Sequence, residues 1–147
     1  MKKNSIKTLI GRKDVVDFPK LELFNIDIKV DSGAYTSSFH CHSIQEENNE
    51  LKCQFLDPKH EKYHEKYFIF KDFTQKMVKS SNGIIENRYL IRTEILIFNE
   101  IYPIELTLTE RGSMKFPVLL GRKFLSKKFM VDTAKKNLSF KNIVIKI

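Results

Sequence analysis

The residues best suited to chemistry are Asp31-Ser32-Gly33-Ala34, which follow the apolar stretch Ile26-Asp27-Ile28-Lys29-Val30. The carboxylate falls where a buried strand breaks into a tight turn. If two such turns meet, the glycine lets the backbones approach, the serine hydroxyl holds the opposing loop, and two nearby carboxylates share one proton. One is then an acid and its partner a base, a pair that can activate water against a peptide carbonyl. A lone Asp-Ser-Gly is also an ordinary turn sequence, so the surrounding elements must decide. A second candidate is His60-Glu61-Lys62-Tyr63-His64. On a helix this H-E-x-x-H spacing puts two imidazoles on one face for zinc, with the glutamate as general base. Asp57-Pro58 supplies a helix-start signal for it. Against it, Pro58 to Lys66 offers only Tyr63 as an apolar body to anchor such a helix. A third ligand is unassigned, since the remaining imidazoles, His40 and His42, alternate on one strand. No metal or cofactor is assigned, and the zinc reading stays as an alternative.

The elements that must hold these residues read mostly as strands, from alternation and from β-branched and aromatic enrichment: Val15 to Phe18, Ile26 to Val30, Ser38 to Ile44, Leu51 to Leu56 and Tyr67 to Phe70. Lys76 to Ser80 and Ile84 to Ile91 flank Asn82-Gly83, a strong hairpin signal, and this hairpin is expected to project. A second hairpin joins Arg92 to Phe98 with Ile101 to Leu108 through Asn99-Glu100. Phe116 to Leu120 is a short buried strand that ends at Gly121, and Arg122 to Phe129 reads as the one short helix, with Leu125 and Phe129 on one face. Leu138 to Ile147 closes the chain as a strand pattern broken at Lys141-Asn142. No repeat recurs at a fixed period. The pattern is an all-β, barrel-like domain spanning residues 1–147 with one short helix.

Composition bounds the partners. The chain has 147 residues, 41% hydrophobic, with twelve Phe and five Tyr, which suits one folded domain and not a disordered solvating chain. No apolar run approaches the roughly 18 to 20 residues that span a bilayer, and the first residues lack a signal-peptide core, so the expected place is cytoplasmic. Cys41 and Cys53 form no C-x-x-C pair and read as reduced structural thiols. A net charge of +8 favours acidic partners. The lysines are spread along the chain and no nucleic-acid recognition motif is present, which ranks RNA or DNA below peptide.

The order of parts resembles retropepsin-like aspartic proteases. More narrowly, the chain is similar to the bacterial family often labelled "ATP-dependent zinc protease", whose members have a retropepsin-like fold despite that label. The matching segments are IGRKDVVDFPKL at Ile10 to Leu21, KVDSGAYTSSFH at Lys29 to His40, SSNGIIENRYLIRT at Ser80 to Thr93, IELTLTERGSMKFPVLLGRKFL at Ile104 to Leu125, and MVD at Met130 to Asp132. The resemblance implies a retropepsin-like (acid protease) barrel. It implies that Asp31 is the catalytic acid, that Ser32 and Gly33 shape its loop, and that Ala34 with Ser80, Ser81, Asn82 and Gly83, the tip of a flap, borders the substrate. Two departures stand out: Ser32 occupies a position where threonine is more usual, and Tyr35 one where a basic residue is common.

One chain supplies one complete Asp-Ser-Gly, whereas the chemistry needs two carboxylates. Val131-Asp132-Thr133-Ala134 is a near-match read as turn structure, because too little chain remains for a second lobe around it. A symmetric homodimer pairing Asp31 with its mate is the preferred reading. Arg88, Arg92 and Arg122 lie in the matching segments and can fork onto substrate carboxylates, or else pair with Glu86, Glu94 or Glu110 and brace the fold. The family resemblance brings an association with glutamate ligases and, in one branch, removal of glutamates from a ribosomal protein tail. The expectation is an aspartic peptidase on acidic or glutamate-rich tails. The alternatives are a non-catalytic module gripping acidic peptide or RNA, and a zinc hydrolase built on His60-Glu61-x-x-His64.

Overall fold

The computed structural model describes residues 6–79, 82–110 and 115–147. Its strands are β1 (Thr8–Ile10), β2 (Lys13–Phe18), β3 (Leu23–Val30), β4 (Ser37–Glu47), β5 (Glu50–Phe55), β6 (Phe68–Phe70), β7 (Phe73–Lys79), β8 (Ile85–Ile97), β9 (Glu100–Thr109), β10 (Val118–Leu120) and β11 (Phe129–Val131), with one short helix, α1 (Arg122–Leu125). A barrel closes through the order β10-β3-β2-β8-β9-β4, because β10 pairs in parallel with β3 and antiparallel with β4. The molecule is therefore the predominantly β barrel expected, retropepsin-like in its strand content, with β5, β6 and β7 added outside the closed ring.

Alternation explains the closure. In β3 the buried residues are Leu23, Ile26, Ile28 and Val30, and in β9 they are Ile104, Leu106, Thr107 and Leu108. These faces meet a stack of rings in which Phe39 lies 5.0 Å from both Phe18 and Phe55. Each such side chain contributes roughly 1.5–3 kcal/mol on burial. Surface pairs such as Lys20 with Glu94, 65% and 38% exposed, contribute about 0–1 kcal/mol. The core holds the barrel, and the ion pairs decorate it.

Tight turns link the long hairpins. Asn48 and Asn49 between β4 and β5, and Phe98 and Asn99 between β8 and β9, all have positive φ, which matches the twist of two-residue hairpins. The second turn thus falls one residue earlier than the expected Asn99-Glu100, and Phe98 is held in this unusual conformation by its own burial and by its N–H donating to Ser139 Oγ at 2.8 Å.

Three local expectations are corrected. Ile84 to Ile91 and Arg92 to Phe98 are not separate strands: β8 runs unbroken, giving its first half to β7 and its second to β9. The helix stops at Leu125 rather than Phe129, because Lys127 turns to φ 71° and Phe129 enters β11, parallel to β1. The segment Leu138 to Ile147 forms turns and then a bridge from Lys146 to Thr8, with Asn142 at φ 58° bending it away from a continuous strand.

That final segment is nevertheless tied down. Leu9 N–H donates to Ile145 O and Lys7 exchanges both of its backbone bonds with Ile147, each at 2.8 Å. Asp14, buried in β2, accepts the backbone N–H groups of Ser139 and Phe140 as well as Val15, at 2.8–3.0 Å. Burial raises its carboxyl above the ordinary aspartate value despite those three donors. Cys41 and Cys53 are free, fully buried thiols in the β4–β5 hairpin, and burial pushes Cys53 to about 12 and Cys41 well above the ordinary thiol value. Among the described residues no helix is long and apolar enough to cross a membrane.

Candidate active site

Asp31 follows β3 directly, and its turn is built on backbone bonds. Its N–H donates to Leu120 O at the end of β10, 2.9 Å away, and its Oδ1 accepts the Gly33 N–H at 3.1 Å. Ala34 N–H closes the turn onto Asp31 O at 3.2 Å. A Cβ on Gly33 would lie 3.3 Å from that same carboxylate oxygen, so a larger residue there would crowd the acid.

The loop is then clamped by the start of α1. Arg122 N–H donates to Ala34 O and Lys123 N–H to Tyr35 O, each at 2.9 Å, while Gly121 N–H donates to Ser37 Oγ at 3.0 Å. The approach is so close that a Cβ on Gly121 would sit 2.5 Å from Thr36 O, and only glycine fits. The Arg122 guanidinium reaches back to Ser32 O at 2.9 Å and also lies 5.7 Å from the Tyr35 ring centre. Asp31 is thereby partly exposed on a braced turn.

The β7–β8 hairpin overhangs this turn. Lys76 Nζ of β7 stands 5.3 Å from the Tyr35 ring centre, so the ring is flanked by one cation from the hairpin and one from α1. Gly83 takes φ 84° at the tip, and Met77, Ile84 and Ile85 are 62%, 56% and 60% exposed around it. Ser80 and Ser81 lie outside the described residues. Asn82 and Gly83 are at the tip.

The three arginines separate. Of the three, Arg122 meets the Asp31 loop. Arg88 pairs with Glu86 at 2.5 Å, and Arg92 with Glu105 at 3.1 Å and Asp72 at 3.9 Å, so in this structure those two guanidiniums are engaged by carboxylates of the fold.

Zinc does not fit the histidines. Residues 57–67 form turns and irregular chain, not a helix, so the H-E-x-x-H spacing does not place its imidazoles on one helical face. His60 Nδ1 accepts the Lys62 N–H, and His64 packs on Phe68 with both ring nitrogens buried and unpartnered among the described residues. No group of three His, Cys, Asp or Glu side chains among the described residues converges to hold a metal.

One relation escapes a search for fixed periods. Leu9-Ile10-Gly11-Arg12-Lys13 echoes Leu119-Leu120-Gly121-Arg122-Lys123, and Val131-Asp132-Thr133-Ala134 echoes Val30-Asp31-Ser32-Gly33. The bonds repeat with them. Asp132 N–H donates to Ile10 O, Ala134 N–H to Asp132 Oδ1, Lys135 N–H to Asp132 O, and Arg12 N–H to Lys135 O. Each Asp turn is thus clamped by its own Gly-Arg segment, and the paired Gly-Arg-Lys triplets are the signal that would have revealed it.

Comparison with known proteins agrees with this geometry. The family model described as RimB-like, retropepsin-like aspartic endopeptidase RimB, matches residues 9–142. The chain belongs to this family. Asp31 occupies the one complete Asp-Ser-Gly turn in its sequence. A probable alpha-L-glutamate ligase of Shewanella halifaxensis is 37% identical over 130 residues, covering 86% of this chain and 28% of the ligase. A second, from Desulfotalea psychrophila, is 30% identical over 138 residues, covering 91% of this chain and 30% of that protein. The RimB-like chain therefore spans less than a third of the curated relatives that it matches. A crystal structure of a Legionella pneumophila protein with unknown function superposes with a TM-score of 0.65 at 21% identity, covering 93% of this chain and 99% of that one, and so shares the fold.

Proposed function

We propose that the peptidase acts as a homodimer in which Asp31 of each copy contributes one carboxylate to a shared dyad, with acidic or glutamate-rich peptide tails as substrate. The observation that carries the dyad is the isolation of Asp31. Among the described residues its carboxylate bonds only to the Gly33 N–H, and no second acid shares a hydrogen bond with it. The reaction needs two. One carboxylate takes a proton from water as the oxygen attacks the peptide carbonyl, and the other, protonated, donates to that carbonyl oxygen. Collapse breaks the C–N bond as the amine takes up a proton, leaving one carboxylic acid and one amine.

Surfaces near the turn support pairing. A concavity of about 420 Å³ beside Ser32 and Arg122 is walled by Leu125, Phe129 and Val131, and Met130 of β11 with Ile145 and Ile147 of the final segment stand 44%, 37% and 54% exposed nearby. Support for the acidic substrate comes from the +8 charge, from Arg122 and Lys76 beside Tyr35, and from relatives named as glutamate ligases. Ser32 to Ala34 and the hairpin tip at Asn82 and Gly83 then border the substrate, with Arg122 the cation bonded to Ser32 O beside the acid.

The test mixes wild-type protein with Asp31→Asn protein under conditions of subunit exchange and measures cleavage of a glutamate-rich peptide. A shared dyad makes activity fall as the square of the wild-type fraction. A linear fall would place the whole machinery in one chain. Equal kcat/KM for glutamate-rich and lysine-rich peptides would overturn the substrate reading while leaving the dyad in place.

A further inference from the structure

Away from the Asp31 turn, β8, β9 and α1 enclose a cavity of about 340 Å³. Its apolar wall is made by Leu90, Pro103, Ile104 and Phe124. Its charged wall holds Arg92, Lys123 and Lys128 against one carboxylate, Glu105. Glu105 is already bound to Arg92 at 3.1 Å and to Lys123 at 2.5 Å, and the Lys123 bond is the main cause holding its carboxyl below the usual range. Lys128 differs. Its ammonium lies 4.8 Å from the Phe124 ring centre, half-buried, with no carboxylate in ion-pair reach among the described residues. With Arg92 also 3.9 Å from Asp72, the carboxylates balance Arg92 and Lys123 and leave the Lys128 charge in surplus beside an apolar pocket.

We propose that this cavity is a second binding site, separate from the catalytic turn, for the carboxyl end of a peptide whose last side chain is apolar. The charge surplus calls for an anion, and the four apolar side chains call for an apolar body attached to it. A chain of acidic residues satisfies only the first demand. Peptide hydrolysis generates molecules with both features, since every turnover leaves a new C-terminal carboxylate, so the choice of a peptide rests on the peptidase reading. The site is also wired to the catalytic loop. Thr36 and Ser37 line it, Ser37 accepts the Gly121 N–H and the Thr107 hydroxyl, and Lys123 clamps Tyr35 O. Burial lowers the Lys128 amine below its ordinary value, a cost that a bound carboxylate relieves.

The experiment uses N-acetyl-leucine and N-acetyl-leucinamide as probes, followed by methyl NMR of the isotope-labelled full chain. The acid is expected to bind saturably with its largest shifts at Leu90 and Ile104, and the amide about tenfold or more weaker. Lys128→Gln is expected to weaken the acid about fivefold or more, and Leu90→Trp, which fills the cavity, to abolish its shifts. Should Lys128→Gln not fold, Lys128→Met, which keeps an apolar stem against Phe124, removes the same charge. Equal binding of acid and amide, indifference to these variants, or shifts centred on residues 32–34 would each overturn the proposal. No turnover is measured, so failure of the peptidase reading would leave these results unchanged.

Discussion

In the turns at Asp31 and Asp132 the aspartate amide donates to the end of a neighbouring strand, the carboxylate accepts from the residue two further on, and a Gly-Arg segment presses against the loop. Their surroundings diverge. The Asp31 turn lies beneath the β7–β8 hairpin, with Arg122 bonded to Ser32 O and Tyr35 between two cations. Beside the Asp132 turn, Asn137 N–H bonds to Lys13 O as the chain runs into its final segment. The hydrogen-bond frame is therefore common to both carboxylates. What distinguishes the first turn is the hairpin over it and the cation beside it.

Substitutions at matched positions test that difference. Asp31→Asn is expected to lower peptide cleavage by about a thousandfold or more, whereas Asp132→Ala should keep kcat and lose about 0.5–1.5 kcal/mol of stability with the bond from Ala134 N–H. Steady-state cleavage and urea melts separate the two. Comparable loss of kcat in both would erase the distinction.

Next in size come the glycines. A Cβ at Gly121 meets Thr36 O at 2.5 Å and one at Gly11 meets Lys135 O at 2.3 Å. Alanine at either should cost roughly 1–3 kcal/mol, but only Gly121→Ala should also reduce kcat, by moving the loop that carries Asp31. Arg122→Lys keeps the charge and loses the forked donor. About a tenfold drop in kcat/KM is expected, with little change for Arg12→Lys.

The smallest effect concerns pH. Asp14 has a folded value above its ordinary one, so the folded chain binds the proton more readily than the unfolded chain. Its contribution is lost as pH rises through the folded value and is complete below about 3.8, the ordinary value. Replacing it with Asn should therefore change the slope of stability against pH in the acid range, read from melts at several pH values. A parallel pair of curves would mean that Asp14 does not titrate differently on folding.

The Asp31 turn was legible because its chemistry is contiguous: strand, acid, hydroxyl and glycine follow one another. So was the barrel, through alternation in β3 and β9. The unbroken β8 was not, since each half of it has its own hairpin partner and local pattern cannot show a strand that changes partners midway. The helix end was overrun because Phe129 repeats the spacing of Leu125 yet is buried by β11 after Lys127 turns left-handed. The arginines could not be sorted either. Arg92 finds Glu105 and Asp72 across the sheet, neighbours that only the β8–β9 register and the β7 approach supply.

The two buried thiols turn the β4–β5 hairpin into a clock. Neither Cys41 nor Cys53 exposes its side chain, and both resist ionisation while packed, so an alkylating reagent can act only on molecules whose hairpin has opened. Labelling rate at rising reagent concentration would then level off at the opening rate of that hairpin, and the plateau would time its motion without reference to catalysis.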